Sequence, residues 1–131
     1  MPDDIRADLR DFIVNEIGSI AQLELLLLLH KDSSREWSAD AAARELYTGA
    51  EAMATLLEGF RARGYVIATE SPPICYRFAP EDPAVEPLVR DLSQLYQERR
   101  VTVINLIYAG PMHKLQSFAD AFRLRKPKPE N

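Results

Sequence analysis

The sequence predicts a mostly α-helical fold of the α+β kind, helices around one small β-hairpin, and three observations lead there. Five consecutive leucines, Leu25 to Leu29, stand inside "QLELLLLLHKD" and demand burial on nearly every side. Apolar residues recur at three- and four-residue spacing from Ile5 to Ile17, from Met53 to Phe60 and from Val85 to Ile107, the period of an amphipathic helix. Two short runs, "YVIAT" and "ICYRF", flank Glu70, Ser71, Pro72 and Pro73, which reads as two strands joined by a loop longer than the tight two-residue turn.

The chain has 131 residues, of which 47% are hydrophobic, enough for one buried core. The leucine run falls short of the ~20 apolar residues that span a bilayer, because Glu24 cuts it on one side and His30, Lys31 and Asp32 on the other. Near the start, Asp3, Asp4, Asp8, Asp11 and Glu16 stand where a secretory signal carries basic residues. A single cysteine, Cys75, allows no internal disulfide. The expectation is a cytoplasmic protein without a membrane span.

Taken in order, Ile5, Leu9, Phe12, Ile13 and Ile17 form the stripe of a first helix over residues 3–17, with an acidic first turn that suits the helix dipole and Gly18 as its stop. Ser19 and Gln22 offer a capping box for a second helix over residues 20–31. Leucine is a strong helix former without β-branching, so the leucine run belongs in that helix. Ser38 caps a short alanine-rich helix that reaches about Tyr47. "TGAE" then offers Thr48 as cap and Glu51 as its partner for a helix that ends at Gly64. Met53, Leu56, Leu57 and Phe60 form its inward stripe, and Gly59 marks a place where another helix is expected to pack close. Leu23, Leu26, Leu27 and Leu29 are expected to pack against Leu46, Leu56, Leu57 and Phe60. Beyond the hairpin, Pro83 and Pro87 suit the first turn of a helix, where a missing N–H costs nothing. No turn residue interrupts the pattern before Gly110 and Pro111, so the β-branched run from Val101 to Tyr108 is expected to be helix, within one rod of roughly 40 Å from Pro83 onward. A last short helix carries Leu115, Phe118 and Phe122, and the tail from Pro127 is expected to be disordered.

This order of elements, with "WSADAAAREL", "YTG", "LLEGFRARGYV" and "YRF", resembles a winged helix-turn-helix domain such as those of MarR-like and PadR-like bacterial regulators. The resemblance covers residues 19–80. It divides the chain into an N-terminal helix (1–18), a winged domain (19–80), a C-terminal helical arm (81–126) and a tail (127–131). It implies that the third helix of the winged domain enters a DNA major groove, where Arg, Lys, Asn or Gln read bases while basic wing residues hold phosphates. It also implies dimerising helices beside the winged domain.

Charge argues against the DNA half of that implication. The outer face of the third helix offers Glu51, Ala52, Thr55, Glu58 and Gly59, with Arg61 and Arg63 only at its end, and the wing tip offers Glu70. Over residues 19–80 six basic residues meet eight acids, a net charge of −2, where a DNA binder carries a basic footprint. The arm differs, with eight basic residues and four acids from Leu88 onward, against a net −3 over the first eighteen residues. These ends attract one another within a chain or across a dimer.

No catalytic constellation is visible. His30 and His113 read as exposed helix-end residues, Cys75 has only Arg77 nearby to activate it, and the five glycines form no phosphate loop. The expectation is therefore a non-catalytic regulator without cofactor, metal or evident small-molecule ligand. It acts through protein contacts, including its own copy, with DNA binding as the competing reading. The candidate contacts with partner or nucleic acid are Glu51, Thr55, Glu58, Arg61, Arg63 and Arg77. The candidate interaction arm comprises Arg99, Arg100, Phe118, Phe122, Arg123 and Arg125.

Overall fold

The computed structural model describes residues 5–115. The elements follow in the order α1 (Ala7–Glu16), α2 (Ile20–Lys31), β1 (Trp37–Ser38), α3 (Ala39–Leu46), α4 (Ala50–Ala62), β2 (Val66–Ala68), β3 (Cys75–Phe78), α5 (Val85–Glu98) and α6 (Arg100–Ala109), and residues 111–115 are helical as well. The fold is thus mostly α with a small antiparallel sheet in the strand order β1-β3-β2. Among the described residues two compact units are present, one formed by residues 5–20 and 95–115, the other spanning Ala21–Gln94.

The second unit contains the leucine helix. Leu23, Leu25, Leu26 and Leu29 of α2 are fully buried, and Leu25 takes the place expected for Leu27, which is only half-buried. Burying Leu23 and Leu26 together with Leu25 and Leu29 covers more than one helix face, as a helix apolar all round requires. In α4, Met53, Leu57 and Phe60 are fully buried, while Leu56 is half-buried. Strands β2 and β3 form the expected hairpin, with Val66 opposite Phe78, Ile67 opposite Arg77 and Ala68 opposite Tyr76. Val66, Tyr76 and Phe78 turn inward and Ile67 outward, the alternation of a sheet with one solvated face.

In the other unit α1 packs against α6. Leu9, Phe12 and Ile13 of α1 and Val103 and Ile107 of α6 are buried. The two elements approach closely where α6 ends: a Cβ on Gly110 would lie 2.8 Å from the Val14 carbonyl oxygen, which leaves no room for any side chain there.

Four expectations are corrected. The single rod from Pro83 is two helices, broken at Arg99, whose φ of −137° and ψ of 59° leave the helical region even though its N–H still reaches the Leu95 carbonyl at 2.7 Å. Residues 101–108 are helical as expected. The cap of α4 is Gly49, with no side-chain hydrogen bond, rather than Thr48. Gly59 faces open space, with nothing within 4 Å of a Cβ placed on it, so no helix among the described residues packs there. The histidines are not exposed helix ends. His30 places Nε2 2.9 Å from a Glu86 carboxylate oxygen and its ring edge-on to Phe78 at 5.3 Å. His113 is half-buried, with Nδ1 3.0 Å from the Gly18 carbonyl oxygen.

Candidate nucleic-acid interface

The segment from Trp37 to Phe78 assembles α3, α4 and the sheet into one surface. Ser38 begins it as expected: its hydroxyl oxygen accepts the Ala41 N–H at 3.0 Å, which caps α3. Ala42 and Ala43 are buried in α3, and small side chains there let α4 pack closely against it. The turn between the two helices is made by Tyr47 in a left-handed conformation, φ 57° and ψ 50°, closed by the Thr48 N–H on the Ala43 carbonyl at 2.9 Å. Gly64, at φ 79°, makes the second sharp turn, from α4 into β2. There the Glu81 N–H bonds the Gly64 carbonyl at 2.8 Å, and the Glu81 carboxylate occupies the space of a missing Cβ.

The outer face of α4 is the one expected: Glu51, Ala52, Thr55, Glu58 and Gly59 are all exposed. Thr55 spends its hydroxyl proton on the Glu51 carbonyl at 3.2 Å. Glu58 is committed twice, accepting from the Arg61 guanidinium at 2.9 to 3.0 Å and from the Tyr76 hydroxyl at 2.6 Å. The Arg61 contact, then the Tyr76 hydrogen bond, holds the Glu58 carboxyl below its ordinary range. Burial first, then the hydrogen bond to Glu58 and its charge, pushes the Tyr76 phenol up to about 12. This chain of three groups ties the middle strand of the sheet to the exposed side of α4 and neutralises Arg61.

The remaining arginines divide. Arg35 lies flat over the Trp37 ring, its guanidinium carbon 3.6 Å from the ring centroid, beside a cleft of about 320 Å³ that Lys31, Asp32 and Glu45 also line. Arg63 is exposed at the C-terminal end of α4. Arg77 is half-buried on β3 opposite Ile67. Arg44 is exposed in the last turn of α3. The wing tip is held by Thr69, whose hydroxyl oxygen accepts the Cys75 N–H at 2.9 Å, and it presents Glu70 to solvent. Cys75 is a half-buried free thiol.

Of the interaction arm, Arg99 sits at the N-terminal cap position of α6 and Arg100 lies over the Tyr96 ring at 4.7 Å. Phe118, Phe122, Arg123 and Arg125 lie outside the described residues, as does the tail expected to be disordered. Sequence reasoning missed β1, in which Trp37 pairs with Tyr76 and Ser38 with Cys75. Two residues carry no periodicity, and the one available signal was a buried-type aromatic directly before a helix cap. It also passed over Tyr47, whose only sequence mark is its place in "YTG". Among the described residues no helix is long and apolar enough to cross a membrane, and no group of three or more His, Cys, Asp or Glu side chains could hold a metal ion.

No family model matches the sequence, and no curated protein does. Solved structures do. MepR, a transcription regulator of a multidrug efflux pump in Staphylococcus aureus, superposes with a TM-score of 0.52 at 10% identity, over 89% of this chain and 87% of that one. A MarR family transcriptional regulator from Silicibacter pomeroyi gives 0.52 at 11% identity, over 93% and 86%. The adhesin competence repressor of Streptococcus pyogenes gives 0.50 at 13% identity, over 95% and 94%. At such identities the likeness is one of fold, and the fold of this chain is the winged helix-turn-helix of MarR-like regulators.

Proposed function

We propose that the chain is a transcriptional regulator whose winged domain binds DNA. The observation that carries this reading is the uncovered outer face of α4 beside a β-hairpin wing, in a fold shared with named transcription regulators over about nine-tenths of the chain. In this reading α4 lies in the major groove, and Arg44, Arg63 and Arg77 hold phosphates. Base reading is sparse, because no Arg, Lys, Asn or Gln stands on the exposed face before Arg61, which Glu58 already engages. Specificity then rests on the shape and deformability of the duplex more than on base edges.

A second reading, a protein partner on the same face, is favoured by Glu51 and Glu70, which repel phosphates, and by the exposed Ile67 and Ile74 of the wing. Self-association through the other unit belongs to either reading. Titration of mixed-sequence duplex DNA at about 50 and 200 mM salt separates the two, since phosphate contacts release counterions and give a steep salt dependence. Salt-sensitive binding weakened by Arg77→Ala supports the DNA reading. Absence of binding at the lower salt leaves the protein partner.

A further inference from the structure

The α3–α4 corner carries a residue that folding alone does not explain. Tyr47 is 95% exposed and sits at φ 57°, among the described residues the only non-glycine position with positive φ. An aromatic side chain is a poor choice for the left-handed region, which glycine and asparagine enter far more readily. The usual compensation, packing of the ring, is missing, because the Tyr47 side chain makes no hydrogen bond or ring contact with any described residue. The corner also holds Arg44, exposed one turn back on α3 and without an ion pair to any described residue, and the exposed Thr48. No acid lies between Arg44 and Glu51 other than Glu45, which points to the Trp37 cleft. The corner thus presents one exposed arginine, with Asp40 four residues before it on α3, and a large phenol at its tip, directly preceding the first turn of α4.

Resting on the DNA reading above, we infer that this corner is the nucleic-acid backbone clamp of the domain. The Tyr47 hydroxyl donates to a phosphate oxygen while its ring lies on the adjoining sugar, and Arg44 supplies the ionic contact to a neighbouring phosphate. Tyrosine hydroxyls and arginines are both ordinary phosphate ligands, and such contacts set register on the duplex without reading sequence. The proposal accounts for two facts together. The strained aromatic is retained for what it touches in the complex, and α4, poor in base-reading side chains, is oriented from its N-terminal corner instead of by its own face.

The test uses the full chain and a labelled mixed-sequence duplex, with affinity measured across a salt series and folding followed by circular dichroism and thermal midpoint. Tyr47→Asn relieves the left-handed strain, so the midpoint is expected to stay or rise while affinity falls about tenfold at every salt, the slope unchanged because no charge is lost. Tyr47→Phe, which keeps the ring, is expected to lose a few-fold. Arg44→Ala is expected to lower affinity and to reduce the logarithmic salt slope by about one. Wild-type affinity retained within twofold by both Tyr47 variants overturns the clamp and leaves the DNA reading standing. Absence of binding by the wild-type chain itself overturns both. A fall in affinity accompanied by a lower midpoint in Tyr47→Asn also counts against the clamp, since it assigns Tyr47 to stability.

Discussion

Two single residues make opposite demands on the chemistry of α4. Tyr76 brings a phenol under cover and donates a hydrogen bond to Glu58, and this raises the phenol to about 12, whereas an unfolded chain releases its proton near 10. Between those two values the unfolded state loses a proton that the folded state keeps, so stability falls as pH rises from about 10 to about 12, and is undiminished below 10. The loss is on the order of 2 kcal/mol at the upper end. In Tyr76→Phe that part of the alkaline decline disappears, which urea denaturation of both proteins across this range would reveal; parallel profiles would mean that the phenol titrates normally. Glu58, held low by Arg61 and Tyr76, acts in the other direction, with a contribution present above about 4.5 and lost as the carboxylate protonates in acid. Gly59 neighbours it on the exposed face with nothing within 4 Å of a Cβ. Gly59→Ala is expected to stabilise the domain by roughly 0.5 to 1 kcal/mol, since only the flexibility of the unfolded chain is lost. A lower thermal midpoint for this variant would contradict the open surroundings of that position.

At the scale of elements the ends of helices decide the architecture. Ser38 both closes β1 and caps α3, so Ser38→Ala is expected to cost about 1 kcal/mol and Ser38→Asp to recover most of it, read as shifts in the denaturation midpoint. Gly110→Ala is expected to cost more, because the new methyl group meets the Val14 backbone at 2.8 Å and α1 must move off α6; an unchanged midpoint would show that this contact yields freely. Much of this was legible in the sequence. The Ser38 cap, the Gly64 exit and the hairpin rest on local chemistry that a few residues state completely, and the exposed face of α4 follows from the period of Met53, Leu57 and Phe60. What could not be read depends on partners distant in the chain. The break at Arg99 carries no Gly or Pro to announce it. The packing of Gly110 on Val14 joins residues nearly a hundred positions apart. His30 looked like a solvated helix end until Glu86 and Phe78 were brought beside it.

At the scale of the whole molecule, the helical unit that includes α6 leaves large apolar side chains exposed. Val101 is 69% exposed, Tyr108 51% and Leu115 64%, and the first two lie seven residues apart, on one side of α6. A two-fold dimer would cover that exposed stripe with the same stripe of its partner. In such a dimer an attraction between the acidic start and basic end of the chain would weaken with salt. Sedimentation of the full chain at micromolar concentration is expected to give the mass of a dimer, and Val101→Asp combined with Tyr108→Asp to give a monomer with unchanged helical circular dichroism. A DNA-binding dimer engages two half-sites separated by about one helical turn, so the monomeric variant should also bind an inverted repeat far more weakly while retaining its affinity for a single half-site. Wild-type protein that sediments as a monomer under these conditions would remove the dimer and limit the domain to one site per molecule.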